Sequence, residues 1–237
     1  MRFIFIFCSI LIFVSCQTTE KKEIGEVNYK GALKDLMSGD ITAKAELLKF
    51  KDTPNFYALG ALEYLQGEIQ IFDSESYITS VEKNSLKYDK TLSEKAALLV
   101  YAEVPEWKNF KLPKDITTEN EFETFLLKVA RENNIDIAAP FPFMLEGIAE
   151  SFSWHVINWR KNDTVHSHKK HKTSGLYGTI NDKNVAMLGF YSNKHHGIFT
   201  HHKTNFHVHV KMEGNGVSGH VDEFRLSEGM ILKIPKI

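Results

Sequence analysis

Short runs of alternating apolar and polar residues occupy most of the chain after residue 57, and this period is typical of half-buried β-strands. Turn-forming residues separate the runs, so the pattern predicts many strands and few helices. Four strands are predicted in the first half, at 58–65, 68–72, 76–81 and 96–104, and five in the second, at 175–180, 185–191, 205–212, 217–226 and 230–234.

One segment has the clear period of an α-helix. Thr118 and Glu121 match a capping box, and apolar residues follow at helical spacing until Asn133 and Asn134 end the pattern. This predicts a helix at 119–133, and weaker helical spacing predicts a second helix at 29–37. The sequence therefore predicts an α+β fold that is rich in sheet, with two mixed β-sheet halves and one or two packing helices.

The Pro-Phe-Pro-Phe segment that begins at Pro140 interrupts the strand pattern and is the best candidate for a boundary. It divides the chain into an N-terminal β-rich half, residues 28–139, which includes the main helix, and a C-terminal β-rich half, residues 140–237. At 237 residues the chain has ample material for a hydrophobic core.

The first sixteen residues have the pattern of an export signal. Arg2 precedes an apolar run, Phe3 to Val14, that is short for a membrane span and suits a signal-peptide core. The run ends at Cys16 in a segment that resembles the bacterial lipobox. We expect lipidation of Cys16, a polar tether at 17–27, and an exported protein anchored to the membrane, on the periplasmic face or the cell surface. An uncleaved anchor and an ordinary secretion signal are the alternatives.

Composition narrows the possible chemistry. The formal net charge of −1 gives no reason to expect a nucleic-acid partner. Cys8 and Cys16 are the only cysteines, so a mature domain without the signal has neither a disulfide nor a thiolate metal site. Any metal must be bound by nitrogen and oxygen ligands. All eleven histidines lie between His155 and His220, which assigns the candidate chemistry to the second half.

The segment from Phe206 to Phe224 has the strongest candidate site. His207 and His209 are two residues apart on a predicted strand, so their side chains point to the same face. A glycine-rich turn at 214–216 would return the chain and bring His220 beside them. Three imidazoles with an open position are the ligand set of a catalytic zinc-type centre.

The other histidines allow two interpretations. The histidines at 166, 168 and 171 lie among lysines and are predicted to form a solvent-exposed face. For those at 195, 196, 201 and 202 a surface position is favoured, and a role as outer partners of the metal ligands is the alternative.

The histidine segment resembles the α-acetolactate decarboxylase family. Phe206-His207-Val208-His209-Val210 and Ser218-Gly219-His220-Val221 are similar to that family's Tyr-His-Leu-His-Phe and Gly-Gly-His-Val segments, and Leu65-Gln66-Gly67-Glu68 is similar to its Leu-Asp-Gly-Glu segment. The resemblance covers about residues 28–234. It implies that His207, His209 and His220 bind Zn²⁺ or another divalent metal, and that Glu68 is the active-site carboxylate.

The resemblance also implies a reaction. A family member would bind a 2-hydroxy-3-oxo acid, decarboxylate 2-acetolactate through a metal-stabilised enediolate, and release acetoin. A homodimer is one expected assembly. Glu68 is the first candidate for the proton donor, and His202 is a speculative second.

Two departures from the family pattern bear on activity. The family's arginine aligns with Met144, and the chain stops at Ile237 without an evident counterpart of the family's C-terminal glutamate. Arg160 or a flanking histidine is the candidate substitute for the arginine. Two alternative functions follow: a non-catalytic zinc-binding lipoprotein with a decarboxylase-like fold, and a cupin-type metalloprotein in which Glu213 would be a ligand.

Overall fold

The computed structural model describes residues 25–212 and 217–237. Cys16, the predicted signal and most of the predicted tether lie outside these residues, as does Glu213, on which the cupin interpretation depends. Among the described residues, no helix is long and apolar enough to cross a bilayer.

Two antiparallel sheets form the molecule. The first has the strand order β1-β7-β3-β4-β5-β6, with β2 paired to one end of β7. Its strands are β1 (Asn28–Lys30), β2 (Ala45–Glu46), β3 (Phe56–Leu62), β4 (Glu68–Phe72), β5 (Glu75–Glu82), β6 (Ser85–Asp89) and β7 (Lys95–Glu103).

The second sheet has the order β10-β11-β12-β9-β13-β8, and an additional pairing of β10 with β9 closes four of these strands into a ring. Its strands are β8 (Trp107–Lys111), β9 (Phe141–Val156), β10 (Leu176–Tyr191), β11 (Phe206–Lys211), β12 (Ser218–Leu226) and β13 (Ile231–Pro235).

Three α-helices accompany the sheets, α1 (Leu33–Met37), α2 (Glu119–Glu132) and α3 (His168–Thr173), with short 3₁₀ turns at Leu47–Phe50 and Glu63–Leu65. Helix α2 begins with the predicted capping box, in which the Thr118 side chain accepts a hydrogen bond from the Glu121 backbone N–H. Its apolar side packs on the second sheet, where the Phe122 ring contacts those of Phe143, Phe206 and Phe224. The burial of this side therefore positions the helix.

The two sheets face each other across an apolar layer. Leu59 and Val100 of the first sheet and Leu188 and Phe190 of the second belong to one cluster of buried side chains. Strand alternation accounts for this layer, because every second residue of each strand points away from water. The same alternation places polar side chains between the sheets where the apolar layer ends.

The sheet-rich α+β fold predicted from the sequence is confirmed, and every strand pair of the two sheets is antiparallel rather than mixed. The helix predicted at 29–37 is wrong in its first part, because Asn28–Lys30 is a strand and only Leu33–Met37 is helical. The strands predicted at 175–180 and 185–191 are one continuous strand. Strand β8 belongs to the first half of the sequence but pairs with β13 in the second sheet.

The capping box predicts a measurable contribution to stability. Replacing Thr118 with alanine should lower the free energy of unfolding by about 1 kcal/mol, because an N–H at the helix start loses its acceptor. Urea denaturation measures this change. Thr124→Ala is the matched control, since the Thr124 hydroxyl bonds a carbonyl inside the same helix. Equal effects of the two substitutions would show that the cap is not what stabilises α2.

Candidate metal centre

The three predicted histidine ligands lie together between the sheets. On β11, Val208 and Val210 point into the core of the second sheet, so His207 and His209 point the other way, toward the first sheet. Strands β11 and β12 pair antiparallel, as predicted, and Cα pairing places His220 directly opposite His209. The alternation and register of two adjacent strands thus gather the three imidazoles.

A fourth histidine extends this row. Strand β9 lies on the other side of β12, and its His155 is the Cα partner of His220. The His155 and His220 rings lie 4.7 Å apart between centroids. Sequence patterns missed His155 because β9 is far from β12 in the sequence, although the two strands pair. The observation that all eleven histidines cluster in the second half was the only available signal.

The ring nitrogens of the three predicted ligands converge on one point. His207 Nε2 lies 3.0 Å from His220 Nδ1 and 3.2 Å from His209 Nε2, and all three ligand atoms lie within 4.8 Å of one another. Ligands of tetrahedral zinc at 2.0–2.1 Å have nitrogens about 3.3 Å apart. The spacing therefore fits a divalent metal held by three imidazoles.

The same three histidines are kept neutral. Each is buried, and burial lowers its pKa, with further lowering by neighbouring histidine charges. The pKa of His209 falls to about 3, and those of His207 and His220 lie well below their ordinary value. Neutral imidazoles with lone pairs directed at one point are the form that binds a metal.

Glu68 comes from the first sheet and faces the histidines. Its Oε2 lies 3.9 Å from His209 Nε2, and its Oε1 accepts a hydrogen bond from the Ile157 backbone N–H at 3.1 Å. Burial raises the pKa of this carboxyl well above its ordinary value, and the hydrogen bond from Ile157 opposes the shift. Burial therefore favours the protonated form of this side chain.

Gly67 allows the strand that carries Glu68 to start at this place. Its φ is +149°, and a Cβ there would lie 2.3 Å from the carbonyl oxygen of Thr79 on the neighbouring strand. Only glycine permits both the dihedral and the close approach. A glycine is therefore required directly before Glu68, because the chain must pass close to β5 at this point.

Asp222 lies beside the histidines and contacts two basic side chains. His155 Nδ1 lies 3.1 Å from Asp222 Oδ1, and Lys172 Nζ lies 3.2 Å from Asp222 Oδ2. Burial alone would raise the pKa of Asp222, but the hydrogen bonds to His155 and Lys172 outweigh it and lower the pKa. An ionised Asp222 accepts a hydrogen bond from His155 Nδ1–H. The other ring nitrogen of His155, Nε2, then faces Glu68 Oε1, 4.0 Å away. No sequence pattern indicated a role for Lys172 or Asp222 beyond their proximity to histidines.

The histidines and Glu68 line a cavity of about 400 Å³, a size typical of small-molecule sites. Apolar side chains of Leu36, Leu65 and Leu98 form part of its wall, and its lysines are Lys34 and Lys172. Among the residues that the structure describes, Glu68 is the only acidic one in this wall. The cavity lining therefore combines apolar side chains, two lysines and the histidine cluster.

Two of the remaining predicted site residues do not contact the histidine cluster. His202 is exposed and lines the cavity at its outer part. Arg160 is exposed and does not line the cavity. Met144, which aligns with the family's arginine, is buried on β9. It packs with Leu188 and Phe190 in the apolar layer between the sheets, and the strand register places it on the same face as His209, two strands away.

Several other histidines are less exposed than predicted. His168 is exposed, as expected, but the His166 ring stacks on Trp159 at 4.4 Å, and half-buried His171 bonds His166 at 2.9 Å. His201, for which a surface position was favoured, lines the cavity with its ring centroid 5.4 Å from that of His220. Burial, and then the neighbouring histidine charges, lower its pKa to about 4.

Solved structures have the same architecture. Alpha-acetolactate decarboxylase from Bacillus subtilis strain 168 aligns with a TM-score of 0.70 at 14% identity, covering 90% of this chain and 86% of that chain. The acetolactate decarboxylase of Bacillus subtilis subspecies spizizenii gives 0.73 at 14% identity, covering 90% and 87%. A Staphylococcus aureus protein of unknown function, described as similar to alpha-acetolactate decarboxylase, gives 0.67 at 15% identity, covering 89% and 85%.

At these identities the structural matches establish the fold alone. No curated protein matches the chain at a significant level. The sequence model of the alpha-acetolactate decarboxylase family, however, matches residues 29–235, which include both sheets and the whole histidine cluster. This protein is a member of the alpha-acetolactate decarboxylase family.

Proposed function

We propose that this protein is a metal-dependent carboxy-lyase that converts 2-acetolactate to acetoin and carbon dioxide. The observation that carries the proposal is the convergence of three neutral imidazole nitrogens and a buried carboxyl group at the base of one cavity. Membership in the alpha-acetolactate decarboxylase family supports the choice of substrate.

The reaction breaks the bond between the carboxylate and the carbon that bears the hydroxyl group. The electron pair stays on that carbon, and one proton must be added to it. A divalent metal such as zinc, bound by His207, His209 and His220, would supply a Lewis acid for the hydroxyl and keto oxygens of the substrate. The spacing and neutral state of the three nitrogens fit such a metal.

Glu68 is the group that supplies the proton. Burial raises its pKa and so favours the protonated form, and its carboxyl lies within 4.0 Å of both the His209 and the His155 ring nitrogens. A positioned acid of this kind adds its proton from one side of the substrate. The Ile157 N–H holds the carboxyl group by a hydrogen bond, and His155, itself bonded to Asp222, lies 4.0 Å from the same oxygen.

Lys172 is the candidate partner for the substrate carboxylate. It is half-buried at the cavity wall, and its ammonium group is held by Asp222 on the same side as the histidines. A cation at this place could replace the family's arginine, a role for which the sequence indicated Arg160 or a flanking histidine as candidates. The carboxylate would thus lie toward α3, and the carbon that receives the proton toward Glu68.

Replacing Lys172 with methionine should raise the KM for acetolactate about tenfold or more, since a hydrogen bond to a charged group contributes roughly 1.5–3 kcal/mol. Because binding of the carboxylate precedes its loss, kcat should change less than KM. Steady-state kinetics measures both values. Lys170→Met is the matched control, because Lys170 lies on the same helix but pairs with Asp163, outside the cavity. Unchanged KM in the Lys172 variant would exclude this role.

The direct test of the proposal is an activity measurement. The purified protein, stripped of metal and then supplied with zinc, is incubated with racemic acetolactate, and acetoin and carbon dioxide are measured. We expect one acetoin for each carbon dioxide, loss of activity with a chelator, and recovery with added zinc. Zinc retained without acetoin formation would contradict the proposal and favour the non-catalytic zinc-binding alternative.

A further inference from the structure

Gln70 is a fully buried polar residue between the two sheets, two positions after Glu68 on β4. Strand alternation turns it to the same face as Glu68, so its amide reaches across to β11 and β12 of the second sheet. A buried side-chain amide must have hydrogen-bond partners, because an unpaired one is costly. The partners of this amide include His209, one of the three proposed metal ligands.

The hydrogen-bond pattern fixes how the amide is oriented. With its nitrogen toward β5, the amide donates to the carbonyl oxygen of Tyr77 at 2.6 Å and to Ser218 Oγ at 2.8 Å. Its oxygen then accepts from Gly219 N at 3.2 Å and from His209 Nδ1 at 3.0 Å. Ser218 Oγ and His209 Nδ1 could pair with the amide in either orientation, so the two backbone groups decide. The opposite orientation would direct the amide oxygen at the Tyr77 carbonyl oxygen and the amide nitrogen at the Gly219 N–H, and only the first orientation gives both backbone groups a suitable partner.

This orientation determines the protonation of His209. A neutral imidazole carries one proton, and an amide oxygen at Nδ1 requires that the proton lie on Nδ1. The lone pair is then on Nε2, the atom that lies 3.2 Å from His207 Nε2. With the proton on Nε2 instead, His209 would direct a donor at the metal position and could not bind there.

We propose that Gln70 is a positioning residue that holds His209 in its metal-binding tautomer. The inference depends on the proposed metal site but not on the reaction or its substrate. Groups that hold the second nitrogen of a metal-binding histidine fix its tautomer and ring orientation, and their loss typically costs 10–100-fold in metal affinity. Because Gln70 lies on the first sheet and His209 on the second, the contact also joins the two sheets at the site.

The experiment compares two substitutions. Gln70→Leu removes the acceptor at similar size and should weaken zinc binding 10–100-fold in a competition titration with a chromogenic chelator. Gln70→Glu keeps an oxygen acceptor for His209 Nδ1 and should retain zinc affinity within a few fold. Thr79→Val is the control for polar-to-apolar change in the sheet interior, since the Thr79 hydroxyl is buried without a hydrogen-bond partner.

A second measurement does not depend on any variant. In metal-free wild-type protein, long-range ¹H–¹⁵N correlation spectra should show His209 protonated at Nδ1. Wild-type zinc affinity in a folded Gln70→Leu variant, or His209 protonated at Nε2 in the wild type, would overturn the inference. If the wild type binds zinc but forms no acetoin, the proposed function fails while the role of Gln70 stands.

Discussion

Replacing His209 with alanine is expected to abolish decarboxylation and zinc binding together. The substitution removes one of the three converging nitrogens. The remaining two should not hold the metal that would act as the Lewis acid in the reaction. Such charge stabilisation contributes several kcal/mol, so the loss in kcat should be about a thousandfold or more at 1.4 kcal/mol per tenfold. Activity assays and direct metal analysis of the purified protein measure the two losses.

A thermal shift separates loss of the metal from loss of the fold. Zinc that binds only the folded protein raises its melting temperature, so added zinc should stabilise the wild type and have little effect on His209→Ala. His196→Ala is the matched control, because His196 is exposed and bonds Asn205 away from the cluster. A His209→Ala protein that still binds zinc tightly and forms acetoin would refute the three-histidine centre.

The second large effect is expected at Glu68. Glu68→Gln keeps an oxygen that accepts the hydrogen bond from the Ile157 N–H, but it removes the acidic proton. General acid catalysis contributes about 10²–10⁴-fold, and kcat should fall by that factor while zinc remains bound. Residual acetoin should also have lower enantiomeric purity, since water can then add the proton from either side.

Chiral chromatography of the product distinguishes proton delivery from binding. Glu63→Gln is the matched control, because the Glu63 carboxylate accepts a hydrogen bond from the Ala43 N–H and does not line the cavity. Unchanged kcat and unchanged enantiomeric purity in Glu68→Gln would assign the proton to another group. His155, whose Nε2 faces Glu68, would then be examined first.

The local parts of this site could be predicted from the sequence. His207 and His209 share a face because side chains alternate along a strand, and the predicted antiparallel pairing of the next strand places His220 opposite His209. Neither inference requires knowledge of the rest of the fold. The resemblance to the family supplied Glu68, whose pattern on its own would indicate only a strand residue after a turn.

The nonlocal parts could not be predicted in this way. His155 reaches the site because β9 pairs with β12, which places His155 opposite His220. These two residues are 65 positions apart in the chain, and no periodic pattern encodes their pairing. Lys172 and His201 depend on connecting segments whose paths are set by packing. The alignment of Met144 with the family arginine likewise could not show that this side chain packs in the apolar layer between the sheets.

The division of the site between the sheets has a consequence for how substitutions far from it should act. Glu68 and Gln70 are carried by one sheet, the three histidines by the other, and the apolar layer that contains Leu59 and Leu188 sets the separation. The spacing of donor and acceptor atoms is thus an outcome of core packing. Catalytic alignment and thermodynamic stability are therefore properties of the same contacts, and selection on either one constrains the other.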